Sequence, residues 1–234
     1  KDKTELMQYP IGNKREQYAI PDSVTQIDGS AFAECSSLTS ITIPDSVTSI
    51  GGSAFLGCSG LTSITIPDSV TRIGYRAFAG CSSLTSIIVG TENENYTSDD
   101  GVLFNKDKTE LIQYPIGNTR EQYTIPDSVE EIGWEAFRGC SSLTNIIVGI
   151  GNEDYTSEDG VLFDKDKTGL IQYPIGNTRE QYAIPDSVTG INSSAFEDCS
   201  SLTSITIPDS VTEIGYGVFS GCSGLTNITI PNSV

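Results

Sequence analysis

Six cysteines and thirty-one carboxylates are the residues of this chain best able to do chemistry. A cysteine can attack as a thiolate, hold a soft metal or form a disulfide, and a carboxylate can move a proton or bind a hard cation. The chain contains no histidine. Without an imidazole there is no base for a Ser/His/Asp or Cys/His nucleophile pair, and no ligand for an HExxH or zinc-finger site. Two suitably spaced acids would suffice for glycoside hydrolysis. However, Asp22, Asp45, Asp68, Asp127, Asp186 and Asp209 all occupy one position of a repeating turn, and a residue required in every copy points to structure. No acidic pair interrupts that pattern, so the expectation is a protein without enzymatic activity.

A second candidate is the loop Asp164-x-Asp166-x-Thr168-Gly169, which has the front half of an EF-hand calcium loop. The bidentate Glu that closes such a loop would fall at Ile175, and the sister loop from Asn105 to Glu110 lacks the glycine. A turn between Val161-Leu162-Phe163 and Leu170-Ile171 accounts for the same residues. The acidic stretch with Glu92, Glu94, Asp99 and Asp100 reads as a solvated loop, able at most to recruit Ca²⁺ weakly. No metal or cofactor is expected.

The elements that position these residues follow from the cysteines. They stand at Cys35, Cys58, Cys81, Cys140, Cys199 and Cys222, at intervals of 23, 23, 59, 59 and 23. A fixed period in this range marks a solenoid or propeller. Six units of 23 residues align without gaps at 20–42, 43–65, 66–88, 125–147, 184–206 and 207–229. Two units of 36 residues, 89–124 and 148–183, match each other, and 1–19 is the rear half of a third. Residues 230–234 repeat the opening of a unit. Neither end carries the polar cap that closes a stacked core, so the expectation is one solenoid forming a piece of a longer array.

Within a unit, Leu61, Ile64 and Ile66 alternate with Ser63 and Thr65, the pattern of a short strand with one face buried. Pro67 lacks the N–H a ladder needs and ends the strand, and Pro-Asp-Ser begins a turn. Val70 and Ile73 suit a second inward segment, and Ala77-Phe78 a short helical turn. A single coil buries almost nothing. About eight coils stacked at roughly 4.8 Å give a continuous parallel sheet of roughly 40 Å, with a Phe column and a Cys column inside. Each long unit is expected to carry a hairpin, with residues 102–104 against 111–114, either as a lateral excursion from the stack, which the spacing favours, or with one of its strands joining the main sheet.

The pattern Leu-x-x-Ile-x-Ile-Pro-x-Ser-Val-x-x-Ile-Gly-x-x-Ala-Phe-x-x-Cys-x-x-Leu resembles the BspA-like class of leucine-rich repeats, over nearly the whole chain. The long units, with Asp100-Gly101-Val102-Leu103-Phe104 and then Lys108-Thr109-x-Leu111-Ile112-x-Tyr114-Pro115, are similar to variant repeats of that family. The resemblance implies a mainly β, right-handed repeat solenoid with short helical turns. It also implies an extracellular or cell-surface protein associated with adhesion to host or neighbouring-cell proteins. A repeat names a scaffold, and function lives in the site.

Every cysteine holds one repeat position, three residues after the Phe, so the six read as an inert buried ladder. Bridging within Cys35, Cys58 and Cys81 or between Cys199 and Cys222 is the alternative, and a metal the remote one. Cys140 has no cysteine in the flanking long units.

Specific binding belongs where coils differ. The pair after Ile-Gly varies: Gly29-Ser30, Gly52-Ser53, Tyr75-Arg76, Trp134-Glu135, Ser193-Ser194, Tyr216-Gly217. Trp, Tyr and Arg are the types enriched at binding hot spots, so Tyr75, Arg76, Trp134 and Arg138 form a candidate protein-binding patch; alternatively, Trp134 and Tyr75 cover core edges beside the long units. A second surface, the outward strand positions Ser40/Thr42, Ser63/Thr65, Ser86/Ile88, Asn145/Ile147, Ser204/Thr206 and Asn227/Thr229, is a mostly polar array that could meet a regular glycan, although Thr also simply suits exposed strands.

The expected function is therefore a non-enzymatic secreted or cell-surface scaffold binding protein, with a carbohydrate-binding array or a structural spacer as alternatives. The net charge of −18 has the wrong sign for nucleic acid, and no run of about 18 apolar residues is present to cross a bilayer. The first residues, Lys1 to Glu5, lack the apolar stretch of a signal peptide.

Overall fold

The computed structural model describes residues 4–234. They form two compact units, one holding the residues up to Asn118 with Ile132–Phe137, the other Thr119–Glu131 with Arg138–Val234. Each unit is a β-solenoid stack with its own apolar core.

In the first unit, parallel strands pair on two faces of the coil. Gln17–Ala19 lies beside Ser40–Thr42, and Ser63–Ile66 beside Ser86–Val89. On the other face Glu5–Leu6, Gln26–Ile27, Ser49–Ile50 and Arg72–Ile73 make one four-stranded sheet. The second unit repeats the scheme with Gln122–Ile125 beside Asn145–Val148, Gln181–Ala183 beside Ser204–Thr206, and Gly169–Gln172, Gly190–Ile191 and Glu213–Ile214 in parallel. Partners such as Ile64 and Ile87 are one 23-residue period apart. Ile64 and Ile66 point into the core while Ser63 and Thr65 face solvent, as the alternation requires.

The hydroxyls explain why Ser-Val-Thr recurs. Ser46 donates to Val24 O and Ser69 to Val47 O, both at 2.7 Å, and Thr71 donates to Thr48 O at 3.2 Å in the coil before. A second ladder runs through Thr39, Thr62 and Thr85. Each bond contributes about 1 kcal/mol net, and each also fixes the axial register of one coil on the next.

The short helical turns expected at Ala-Phe do not form, and no residue described is helical. A helix would direct every N–H along its own axis. Here every second N–H is used between coils: Ser30, Phe32 and Glu34 donate to Gly52, Ala54 and Leu56, while Ala31, Ala33 and Cys35 bond locally. The alternation puts Ser30 and Glu34 at φ of 59° and 61°. Close coil contact also dictates one glycine. A Cβ on Gly74 would sit 2.3 Å from the backbone nitrogen of Gly52, and Gly51 and Gly215 are similarly confined. Asp28 and Asn192 hold the same position, but their N–H groups meet Leu6 and Leu170 of the long-type coils, which approach differently.

The parallel sheets are interrupted at the long units. Tyr96–Asp99, Val102–Asn105 and Glu110–Gln113 form an antiparallel meander, repeated by Tyr155–Glu158, Val161–Asp164 and Gly169–Gln172. The expected hairpin is present, with Phe104 opposite Leu111. Of its two placements the structure shows the one in which a strand joins the stack, and the favoured lateral excursion is corrected: Gly169–Gln172 pairs in parallel with Gly190–Ile191, and Leu111 O accepts from Gly133 N at 2.8 Å. Because Val102, Leu103 and Phe104 are covered on both sides they are wholly buried.

The aromatic column is longer than the Phe residues alone. Phe32, Phe55 and Phe78 stack at 5.2 and 5.8 Å. Tyr9 stacks on Phe32, Tyr173 stacks on Phe196, and the ring of Tyr114 meets that of Phe137. The tyrosine of each Gln-Tyr-Pro therefore takes the Phe place, one 23-residue period ahead of the next Phe. Asn93 and Asn152 are buried and anchor the meanders. Asn93 donates to Pro67 O and Val70 O and accepts from the N–H of Asn95 and Tyr96, and Asn152 repeats this at Pro126, Val129, Asp154 and Tyr155.

Candidate interaction surface

The six cysteines are buried, and none is joined in a disulfide. Cys58 and Cys81 donate to the carbonyl oxygens of Phe32 and Phe55 in the preceding coil at 3.0 and 3.1 Å, and Cys222 to Phe196 at 2.9 Å. Burial pushes the thiols of Cys58 and Cys81 up to about 12, and those of Cys140 and Cys199 also upward. A thiol that holds its proton this firmly is a poor nucleophile and metal ligand. The ladder packs the core.

The calcium-like loop is a turn. Asp164 accepts from Thr168 N at 2.7 Å, from Thr168 Oγ1 at 2.7 Å and from Gly169 N at 2.8 Å. In the sister loop the neutral Asn105 does comparable work, accepting from Glu110 N and donating to Thr109 Oγ1. Among the described residues no three His, Cys, Asp or Glu side chains are grouped to hold a metal ion.

Tyr75, Arg76 and Trp134 come together in the first unit. The rings of Tyr75 and Trp134 lie 5.7 Å apart at 38°, and both are exposed, at 53% and 67%. Beside them Arg76 Nε is 3.2 Å from Glu135 Oε2. Arg76 and Glu135 both adopt left-handed backbone, at φ of 57° and 63°. Arg138 belongs to the second unit, where it is paired with Glu197 at 2.6 Å. In the sequence Glu135 stands in a variable corner pair, but neither its pairing with Arg76 nor that of Glu197 with Arg138 is foreseen there. The signal was available, since each acid stands 59 residues after an arginine at the same repeat position. The outward Ser and Thr array is exposed as expected at Ser40, Thr42, Ser63, Thr65, Ser204 and Thr206, and gives way to exposed Ile88 and Ile147 on the strands that precede the long units.

Stacked leucine-rich β-coils bearing exposed aromatics at a variable corner define a repeat scaffold. The family model described as BspA type leucine rich repeat region matches in six copies over residues 12–120, 117–158 and 177–234, and the chain belongs to that family. Among solved structures it is similar to a leucine rich cell surface protein from Faecalibacterium prausnitzii, with 32% identity and a TM-score of 0.65 over 91% of this chain and 59% of that one. It is also similar to the pneumococcal vaccine antigen PcpA, with 28% identity and a TM-score of 0.61 over 99% of this chain and 57% of that one. A leucine-rich repeat protein from Eubacterium ventriosum shares the fold at 23% identity and a TM-score of 0.56, over 94% of this chain and 73% of that one. The chain thus spans less than two thirds of the first two. A comparison with curated protein sequences finds no match.

Proposed function

We propose that this chain is a non-enzymatic, surface-displayed recognition scaffold that binds a protein partner through the corner carrying Tyr75, Arg76 and Trp134. The observation that carries the reading is the exposed Tyr75–Trp134 pair, at a position where other coils use Gly29, Gly52 or Ser193. The repeat has no need of a large ring there. Rigid aromatics beside an arginine are the composition of a binding hot spot, because they bury much area for little lost rotamer freedom. The likeness to a cell surface protein and to a vaccine antigen supports display outside the cell. The test is retention of the chain on an immobilised panel of extracellular-matrix proteins, mucins and polysaccharides. Saturable binding to a protein, weakened about tenfold or more by Trp134→Ala and by Tyr75→Ala, is expected for hot-spot aromatics. Retention on polysaccharide alone, or protein binding indifferent to both variants, would overturn the reading.

A further inference from the structure

Residues Tyr75 and Trp134 are 59 positions apart, yet their side chains meet. In short coils the corner from the strand isoleucine to the core aromatic takes five steps, as from Ile50 to Phe55, from Ile73 to Phe78 and from Ile132 to Phe137. The long coil between them makes the same passage, Leu111 to Tyr114, in three. Its two ends are in the ordinary places. Leu111 O accepts from Gly133 N at 2.8 Å as Ile50 O does from Gly74 N at 2.8 Å, and Tyr114 N donates to Ala136 O at 2.9 Å as Phe55 N does to Ala77 O at 2.8 Å. The two residues omitted are the two that, in the short coils on either side, carry Tyr75 with Arg76 and Trp134 with Glu135.

The omission changes how successive corners are joined. Where short coils adjoin, backbone bonds link them: Ser30 N donates to Gly52 O at 3.0 Å and Ser53 N to Tyr75 O at 2.9 Å. Among the described residues no such bond continues from Arg76. The side chains take over, ring on ring and Arg76 against Glu135. Gln113 secures the shortened passage, its Nε2 donating to Tyr114 O at 2.9 Å and to Ala136 O at 3.2 Å.

We propose that the two-residue shortening at 111–114 is the device that assembles this surface, and that Gln113 is its positioning residue. A long unit thereby places side by side residues from two short coils that a full corner would hold apart, and it decides where along the array an aromatic pair can form. That the pair serves binding rests on the reading above; its assembly does not, and the two fail separately.

Trp134 is the only tryptophan of the chain, so its fluorescence and acrylamide quenching report on the pair in the free protein, without any partner. Tyr75→Ala is expected to raise the quenching of Trp134 by uncovering one side of the ring. Inserting Gly-Ser between Ile112 and Gln113 should raise it in the same way, and in that background Tyr75→Ala should add nothing further. Gln113→Ala, which retains the length of the corner and removes only the two amide bonds, should shift quenching towards the Tyr75→Ala value with the far-ultraviolet circular dichroism unchanged. A folded insertion variant that keeps the full response to Tyr75→Ala would overturn the proposal. If the insertion prevents folding, Gln113→Ala decides: parental quenching overturns the proposal and the shift supports it.

Discussion

The side-chain amide of Asn152 donates to the carbonyl oxygen of Val129 at 2.8 Å, one 23-residue period upstream. Its oxygen accepts from the N–H groups of Asp154 and Tyr155 at 3.0 and 2.7 Å. A wholly buried asparagine with donors and acceptor engaged ties the start of the long unit to the turn of the preceding coil. Asn152→Ala leaves several buried backbone groups without partners, and should lower unfolding stability by about 3 kcal/mol. Asn227→Ala, at an exposed position, should stay within about 0.5 kcal/mol. Urea denaturation of both variants checks the contrast.

Phe55 lies between Phe32 and Phe78 in the column, at 5.2 and 5.8 Å, and is fully buried. Phe55→Ala should cost roughly 3–5 kcal/mol by opening a cavity that rigid neighbouring coils cannot close. Calorimetric unfolding should show the loss as a lowered transition.

Two glycines separate steric need from mere absence of a side chain. A Cβ at Gly74 would lie 2.3 Å from Gly52 N, whereas at Gly190 nothing lies within 4 Å. Gly74→Ala should destabilise by about 1–3 kcal/mol or more, through overpacking of backbone against backbone. Gly190→Ala should be near neutral, within about 0.5 kcal/mol. Denaturation midpoints measured side by side decide it.

The cysteine ladder makes a prediction about alkaline pH. Thiols of Cys58 and Cys81 are pushed up to about 12 by burial, from the ordinary 9.0. Below 9.0 both folded and unfolded chains keep these protons. Above it the unfolded chain releases them first, so the unfolded state binds fewer protons and stability falls as pH rises from about 9 towards 12. Cys81→Ala should flatten part of that decline, after its own loss of packing is measured at neutral pH. Denatured without reductant, the chain should titrate with six free thiols; two or fewer would contradict the ladder.

The parts of this fold legible in the sequence are those that recur as one residue type. Cysteine and phenylalanine return at 23-residue intervals, and the alternation at Leu61, Ile64 and Ile66 sets the buried face. What escaped were functions handed from one residue type to another. Tyr9, Tyr114 and Tyr173 take the Phe place. Asn93 and Asn152 are polar residues inside the core, which a hydrophobic pattern assigns to solvent. The helical turn expected at Ala-Phe failed because inter-coil bonds claim alternate N–H groups. At the candidate surface, residue types drew attention to Tyr75, Arg76 and Trp134, but their contact was hidden by a separation of 59 residues and appears only once the long coil is seen to cut its corner.

Whether this scaffold binds a protein through the Tyr75–Trp134 surface is tested most directly by the emission of its one tryptophan. A protein partner taken from the binding panel is titrated into the chain while Trp134 fluorescence and the heat of binding are followed together. Binding through this surface should give a saturable change in Trp134 emission that tracks the calorimetric isotherm and disappears with weakened binding in Tyr75→Ala. Calorimetric binding with Trp134 emission unmoved, and with Tyr75→Ala and Trp134→Phe binding as the parent does, would contradict it.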